Sequence, residues 1–196
     1  DIPLCVDSPR PQTMASVLSA VKNLGLINSV SAEAGKPEAV FPLVQKYHCS
    51  IVALTVDQRG IPSDVETRVE IAEKLITMAS TYGIQHERIF IDPLVTSLAT
   101  SPDSCQVFVE TVKTLKAKYP QIKVTSGLSN ISYSMPKRKF LNRTFLAYAI
   151  EAGMDSAILD PLDTELMGIA YASSVLLGQD NYALKYIRAY RKGLLG

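Results

Sequence analysis

The sequence lacks the motifs of a metal centre, a disulfide framework and a dinucleotide site. Its 196 residues contain three cysteines, Cys5, Cys49 and Cys105, with no Cys-x-x-Cys pair and no cluster of cysteine with histidine. An odd number of widely spaced cysteines indicates reduced thiols, which are typical of a cytoplasmic protein. Cys5 is expected to be a small buried side chain in a strand. No Gly-x-Gly-x-x-Gly follows a strand pattern, which disfavours a dinucleotide-binding fold.

Excess charge and long apolar runs are also absent. The chain has 20 Lys and Arg against 19 Asp and Glu, a net charge of +1, so there is no electrostatic case for nucleic acid or anionic lipid as the main ligand. No apolar run approaches the roughly 20 residues needed to span a bilayer. The start of the chain shows no signal-peptide pattern. The C-terminal tail is basic and is interpreted as a solvated helix face; its basic residues are Lys185, Arg188, Arg191 and Lys192.

A buried strand followed by an amphipathic helix is the pattern that repeats along the chain, which predicts an α/β fold with a parallel sheet. Ser63 is the predicted N-cap of one helix, with Glu66 completing a capping box. Strands are predicted at about 2–7, 26–30, 50–56, 88–92, 122–126 and 156–160. Helices are predicted at about 11–24, 37–48, 64–82, 103–119, 138–152, 164–177 and 181–192.

Small polar residues close most of the predicted strands, which favours a barrel rim over an open sheet. A barrel of this kind has eight strands, whereas the pattern supplies about six. We therefore expect residues 1–196 to form one (β/α)8 TIM-barrel domain from its third strand onward, with the first two βα units absent before Asp1.

Four polar residues lie at predicted strand ends: Asp7, Asn28, Asp92 and Asn130. In a barrel such positions converge on one pocket. Two carboxylates and two amides suit a heterocycle rich in N–H and C=O groups, because a carboxylate accepts paired N–H donors and an amide donates and accepts in one plane. Each residue taken singly is also explained by an Asx turn or a helix cap.

Two further residues are candidates for the same rim. Asp160 ends the last predicted strand, although a cap of the following helix explains it as well. Arg138 opens the helix after Asn130, where a cation is unfavourable with the helix dipole, and this indicates a ligand-facing role.

Other polar residues have weaker claims to the site. Asp57 and Asp64 flank a loop over the same face, which either lines a lid or is simply solvated. His48 and His86 lie at helix-to-strand connections at the opposite end. No histidine lies near the serines around Asn130, so a nucleophilic triad is disfavoured.

Several of these segments together resemble the methyltetrahydrofolate:corrinoid methyltransferases, and they do so in order over essentially the whole chain. This family shares a pterin-binding domain with cobalamin-dependent methionine synthase and, more distantly, with dihydropteroate synthase. The most specific part is Gly127-Leu128-Ser129-Asn130 followed by Asn142-Arg143-Thr144-Phe145-Leu146. The other matching segments are Leu4-Cys5-Val6-Asp7-Ser8, Ile27-Asn28-Ser29, Ile91-Asp92-Pro93-Leu94, Arg138 and Ala157-Ile158-Leu159-Asp160.

The resemblance implies a (β/α)8 barrel, usually a homodimer, in a cytoplasmic enzyme of one-carbon metabolism. The implied reaction moves a methyl group between N5 of tetrahydrofolate and the cobalt of a corrinoid, a cobalamin-type cofactor carried by a partner protein. The enzyme itself is expected to need no metal ion.

The resemblance also implies roles for single residues. Asp7, Asn28 and Asp92 would hold the pterin ring. Asn130 would be the catalytic residue near N5, and Arg138 would lie near the pterin. Asp160 joins the substrate-binding set through its place on the rim.

Two alternatives stay open at this point. One is a dihydropteroate synthase, although that family's late-strand motif is of a Ser-Arg-Lys type, whereas Gly-Leu-Ser-Asn stands here, with Lys137 and Arg138 further downstream. The other is a non-catalytic pterin-binding fragment, because an incomplete barrel exposes parallel edge strands.

Overall fold

The computed structural model describes residues 2–195, apart from the side chain of Leu24, and shows helices alternating with the strands of one sheet. The strands are β1 Leu4–Asp7, β2 Leu24–Ser31, β3 Ser50–Leu54, β4 Ile89–Asp92 and β5 Lys123–Val124. The helices are α1 Pro11–Leu18, α2 Lys36–Tyr47, α3 Val65–Thr81, α4 Ser104–Lys118, α5 Arg138–Ala152, α6 Thr164–Leu176 and α7 Leu184–Arg191. Short 3-10 helices cover His86–Arg88, Leu128–Ser132 and Asn181–Ala183. Within residues 2–195, no helix combines the length and apolar character that a membrane span requires.

All five strands are parallel, and each pairs with the next one along the chain, in the order β1-β2-β3-β4-β5. A doubly wound sheet reverses its strand order at a switch point, whereas a barrel keeps sequence order around its wall. The observed order is therefore that of a barrel wall. The α/β class and the barrel-type arrangement predicted from the sequence are confirmed.

Two apolar cores fix this sheet in place. In β3, three consecutive residues (Ile51, Val52 and Ala53) are buried, as expected for a parallel strand covered on both faces. The first core contains buried residues of the sheet and of α1, α2 and α3. The second lies around α4, α5 and α6, where the rings of Phe108 and Phe145 pack edge to face with centroids 5.2 Å apart. The carboxyl ends of the strands are thus held on a rigid support.

Two predictions about the elements are wrong in detail. The sixth strand, 156–160, is reduced to a single bridge between Ile158 and Gly127, because β5 has two residues and the chain then turns into a 3-10 helix. Helix α1 ends at Leu18 instead of residue 24, because residue 24 already pairs with Leu4 as the first residue of β2.

The other corrections concern single side chains. Cys5 is exposed, because Val6 is the one residue of the edge strand β1 that is buried. The N-cap of α3 is Asp64 instead of Ser63: the Asp64 carboxylate accepts the N–H of Thr67 at 2.7 Å.

Candidate functional site

The candidate site lies at the carboxyl ends of the strands, where the polar residues predicted from the sequence are found. Asp7 is the last residue of β1 and Asp92 the last residue of β4. Asn28 lies within β2, in register with Asp7. Because the strands are parallel, these positions share one edge of the sheet.

Asp7 and Asn28 form the first pair of this edge. The side-chain amide of Asn28 donates to Oδ2 of Asp7 at 3.3 Å, and the backbone N–H of Ser8 donates to the carbonyl oxygen of Asn28 at 2.9 Å. The β2–β3 register shifts between Asn28 and Val30, directly after this pair. The Asp7 side chain is exposed, so the pair offers a carboxylate and an amide on adjacent strands to a planar polar ligand.

Asp92 is the buried acid of the site, with 7% of its surface exposed. Its Oδ1 accepts the hydroxyl of Ser126 at 2.6 Å and the backbone N–H of Leu94 at 2.8 Å. Oδ2 has no hydrogen-bond partner within residues 2–195. Burial raises the pKa of Asp92 to about 6, against the opposing pull of these two hydrogen bonds and of the Arg68 charge. Near neutral pH the group is therefore a carboxylate with one oxygen free to accept N–H donors.

The sequence predicts that Asn130 lies at the end of a strand, and this prediction is wrong. Asn130 lies in the 3-10 helix Leu128–Ser132 and is exposed. Its amide packs against the backbone of Gly127: a Cβ atom built on that glycine would lie 3.3 Å from Nδ2 of Asn130. Gly127 directly follows Ser126, which donates to Asp92. The Asn130 amide therefore lies beside the residue that follows the partner of the buried acid.

Arg138 is the first residue of α5 and holds the segment that carries Asn130. Its guanidinium donates to the carbonyl oxygen of Ser129 at 2.8 Å and to the hydroxyl of Ser132 at 3.0 Å. The Ser132 hydroxyl in turn donates to Oδ1 of Asn142 at 2.7 Å. Arg138 thus binds a residue on either side of Asn130, through the backbone carbonyl of Ser129 and the side-chain hydroxyl of Ser132, and these contacts give it a structural role at the site.

Asp160 is not joined to the other candidates by any hydrogen bond in the described part of the chain. Its Oδ1 accepts the N–H of Leu162 at 2.9 Å, which is an Asx turn, and the side chain is exposed. The cap of α6 is Asp163, which accepts the N–H of Leu166 at 3.0 Å. The structure therefore leaves Asp160 near the rim with a local turn as its observed contact.

Asp57 and Asp64, the two acids of the loop after β3, are both occupied by local partners. Asp57 accepts three hydrogen bonds from the Arg59 side chain and one from its backbone N–H, and these bonds hold the pKa of Asp57 below its usual value. Asp64 caps α3, and the N–H of Thr67 likewise lowers the pKa of Asp64. Their contacts are those of loop and helix-cap residues.

Three polar residues in and behind this edge were not predicted from the sequence. Ser126 binds the buried acid, and a Thr-Ser pair at the end of an apolar run was the available signal. The hydroxyl of Thr55 is buried and has no partner within residues 2–195, while its backbone N–H donates to the carbonyl oxygen of Asp92 at 3.0 Å. Arg68 is a buried cation on the apolar face of α3, and its helical spacing from Val65 and Ala72 was the signal.

The two histidines lie at the opposite end of the strands from the candidate site. His48 directly follows α2, and His86 begins the 3-10 helix that precedes β4, so both lie toward the amino ends of the strands. In the part of the chain that the structure describes, no group of three or more His, Cys, Asp or Glu side chains is placed to hold a metal ion. What the edge does offer is a set of carboxylate, amide and hydroxyl groups for hydrogen bonding.

Comparison with known proteins gives the sequence relationships of this chain. The pterin-binding enzyme family matches residues 1–160. The chain is 39% identical over 198 residues to the methylcorrinoid:tetrahydrofolate methyltransferase of Eubacterium limosum, covering all of this chain and 73% of that protein. It is 35% identical over 170 residues to the methionine synthase of Mycobacterium leprae, covering 81% of this chain and 14% of that protein.

A solved structure shows the same fold. The dihydropteroate synthase of Clostridium difficile, crystallised with pteroic acid, superimposes with a TM-score of 0.69 over 90% of this chain and 68% of that chain. The two sequences are 19% identical, so this likeness concerns the fold.

Proposed function

This chain belongs to the pterin-binding enzyme family, and we propose that it is a methyltransferase acting between tetrahydrofolate and a corrinoid carried by a partner protein. The observation that carries the proposal is the 39% identity to a methylcorrinoid:tetrahydrofolate methyltransferase over the full length of this chain. Dihydropteroate synthase, with 19% identity, shares the fold, and the sequence relationship favours methyl transfer over pteroate formation.

In this proposal the pterin ring binds at the edge formed by Asp7, Asn28 and Asp92. The pyrimidine part of a pterin carries adjacent N–H donors, and a free oxygen of an ionised carboxylate is a strong acceptor for such donors. Asp92 suits this task because its Oδ2 is free of protein partners within residues 2–195, while its Oδ1 is fixed by Ser126 and Leu94. Asn28 can donate to and accept from the remaining polar atoms of the ring.

Asn130 is the proposed catalytic residue. When the methyl group is transferred, the C–N bonding pair stays on N5, so this amine nitrogen is an effective leaving group only if the negative charge that develops on it is stabilised. A hydrogen bond or proton at N5 provides this, and it accelerates the reaction to the extent that it is stronger in the transition state than in the bound substrate. The Asn130 amide is a neutral donor that needs no tuned pKa, and its exposure leaves it accessible to substrate.

The remaining roles are orientation and access. The corrinoid supplies the cobalt that gives or accepts the methyl group, and this chain holds the folate so that N5 faces it. Arg138 and Ser132 keep the Asn130 segment in place through their hydrogen bonds, so we assign them to positioning. Asp160 is kept as a rim residue for substrate binding, with a lower claim because its observed contact is local.

We also propose that the protein acts in the cytoplasm and as a homodimer. The three cysteines are free thiols, which supports a reducing compartment. Large apolar side chains are exposed on the last two helices and on the segment between them, and such a surface supports association with a second copy. They include Leu176, Tyr182, Leu184 and Tyr190. Sedimentation of the purified protein tests the dimer directly.

The test of the function is transfer of a labelled methyl group between tetrahydrofolate and a corrinoid protein, assayed in both directions. Asn130→Ala is expected to lower the rate roughly 10²–10³-fold, as the loss of a transition-state donor does elsewhere, while the folate Kd changes by less than about threefold. Asn23→Ala, at an exposed asparagine just before β2 at the opposite end of the strands, is the matched control and should leave both quantities unchanged. Equal activity of Asn130→Ala and the unaltered protein would contradict the assignment.

A further inference from the structure

Arg68 is a charged residue in the interior that the proposed mechanism does not use. It lies on α3, is 1% exposed and is followed along the same face by the buried residues Ile71 and Ala72. Burying a guanidinium is costly unless its donors are satisfied and an opposite charge is near. The buried guanidinium of Arg68 therefore needs hydrogen-bond acceptors that offset the cost of removing it from water.

The partners of Arg68 are two backbone carbonyls on either side of the site. Its Nε donates to the carbonyl oxygen of Pro62, in the loop after β3, at 2.9 Å, and its Nη1 donates to that of Leu94, in the loop after β4, at 2.8 Å. Leu94 has a positive φ of 66°, which is unfavourable for a side chain of this size. Its N–H donates to Asp92 Oδ1, so Arg68 and Asp92 hold the same strained residue from its two ends.

The charges around this group are consistent with a coupled pair. The Arg68 charge acts on Asp92 and lowers its pKa, opposing the effect of burial. Burial in turn lowers the pKa of Arg68, while Asp64 at the start of α3, Asp92 on β4 and Asp103 just before α4 oppose that shift. These are the charged groups that bear on the pair from the elements packed around it within residues 2–195.

We propose that Arg68 is a positioning residue for Asp92: it holds the backbone of Leu94 beside this carboxylate, and its positive charge favours the ionised form that binds ligand. The inference rests on the proposed pterin site. It adds a residue on a helix behind the sheet to a site otherwise built from strand ends and loops.

The loop that Arg68 holds also reaches the Asn130 segment. Leu98, four residues beyond Leu94, donates its N–H to the carbonyl oxygen of Ile131 at 3.0 Å. The hydroxyl of Ser97 donates to the carbonyl oxygen of Tyr133. One loop therefore links the carbonyl bound by Arg68 to the residues around Asn130.

The experiment is an NMR titration of the Asp92 carboxyl carbon in unliganded protein, assigned with Asp92→Asn, in the unaltered chain and in Arg68→Gln. The titration midpoint is expected to rise in Arg68→Gln, because the opposing charge is lost. Arg59→Gln removes a cation from the same loop region that is paired with Asp57 instead and should leave the midpoint unchanged. Calorimetry with methyltetrahydrofolate should then show that the ratio of affinities at pH 8 and pH 6 grows by about threefold to tenfold in Arg68→Gln.

An unchanged midpoint with binding weakened equally at both pH values would mean that Arg68 is merely structural and would overturn the inference. If Arg68→Gln unfolds at pH 8 but folds at pH 5, where Asp92 is protonated, the coupling is supported; unfolding at both values overturns it. Absence of folate binding by the unaltered protein would contradict the proposed function, and the titration midpoint would still decide the role of Arg68.

Discussion

At the scale of single residues, two aspartates with the same sequence context differ in their surroundings. Asp7 and Asp92 each end an apolar strand. Asp7 lies on the edge strand, exposed and bonded to Asn28, whereas Asp92 lies between β3 and β5, buried and bonded to Ser126. The sequence predicts that both face one pocket but not which is buried, because that depends on the neighbouring strands. Burial raises the pKa of Asp92 to about 6.

This difference predicts a pH dependence of folate binding. The pKa of Asp92 in the unliganded protein is about 6, and N–H donors of the ligand bind its ionised form. Affinity should therefore be constant above about pH 7 and fall by up to about tenfold per pH unit below 6. Calorimetry between pH 5 and 8 measures this, and Asp92→Asn is the control for protonation of the ligand itself. Asp92→Asn should bind folate more weakly at pH 8, and its affinity should depend less on pH because the titration of Asp92 is gone.

The same group has a defined effect on stability. Its folded-state pKa is raised above the ordinary value of 3.8, so the folded protein binds the proton more tightly than the unfolded chain. The contribution of Asp92 to stability is therefore greatest below about pH 4 and is lost as the pH rises toward 6. Urea unfolding of the unaltered protein and of Asp92→Asn, compared across this pH range, isolates the contribution of Asp92. If that contribution to the free energy of unfolding rose with pH instead of falling, the burial of this carboxyl would be contradicted.

At the scale of elements, local patterns predict those with strong signals. Helix α5 runs from Arg138 to Ala152 as predicted, and it ends at Gly153, whose φ of 109° suits glycine. The 3-10 helix that carries Asn130 was not predicted, because its geometry depends on bonds from Arg138 and on the bridge to Ile158. A five-residue element held by distant partners has no periodicity of its own to detect.

The start of α3 gives a prediction at this scale. Ser63 and Glu66 have the spacing of a capping box, but the observed cap is one residue later, where Asp64 accepts the N–H of Thr67. Asp64→Ala should therefore lower the urea midpoint of unfolding, and Ser63→Ala, at an adjacent exposed position, should leave it nearly unchanged. If Ser63→Ala lowered the midpoint more than Asp64→Ala, Ser63 would be the N-cap, as the capping-box pattern predicts.

At the scale of the whole molecule, what the sequence predicts well is the layering. Continuous apolar runs and helical periodicity indicate a parallel sheet with covered faces, and sequential strand pairing bears this out. Contacts between distant loops are not encoded in any local pattern. The bonds from Arg68 to Pro62 and Leu94, and from Leu98 to Ile131, join segments whose neighbourhood exists only after folding. The candidate site depends both on the strands, which local patterns predict, and on these loop contacts, which they do not.

The second core predicts how much the packing of α4 against α5 contributes to stability. Phe108 of α4 is fully buried and packs against Phe145 of α5, whereas Phe140, near the start of α5, is 69% exposed. Phe108→Ala removes a ring from a close-packed interior and leaves a cavity, so it should lower the free energy of unfolding by roughly 3–5 kcal/mol. Phe140→Ala makes the same chemical change at the surface and should cost less than about 0.5 kcal/mol.

Urea unfolding of both variants, followed by circular dichroism, measures the difference between these two phenylalanines. If the two variants lost similar free energies of unfolding, the ring of Phe140 would be covered in solution, as in a homodimer contact at that position. The loss for Phe140→Ala would then depend on protein concentration. Repeating the measurement over a range of concentrations therefore separates a dimer contact from a weakly packed core. A concentration-independent loss that is small for Phe108→Ala would contradict the packing of α4 against α5, and with it the support on which the Asn130 segment rests.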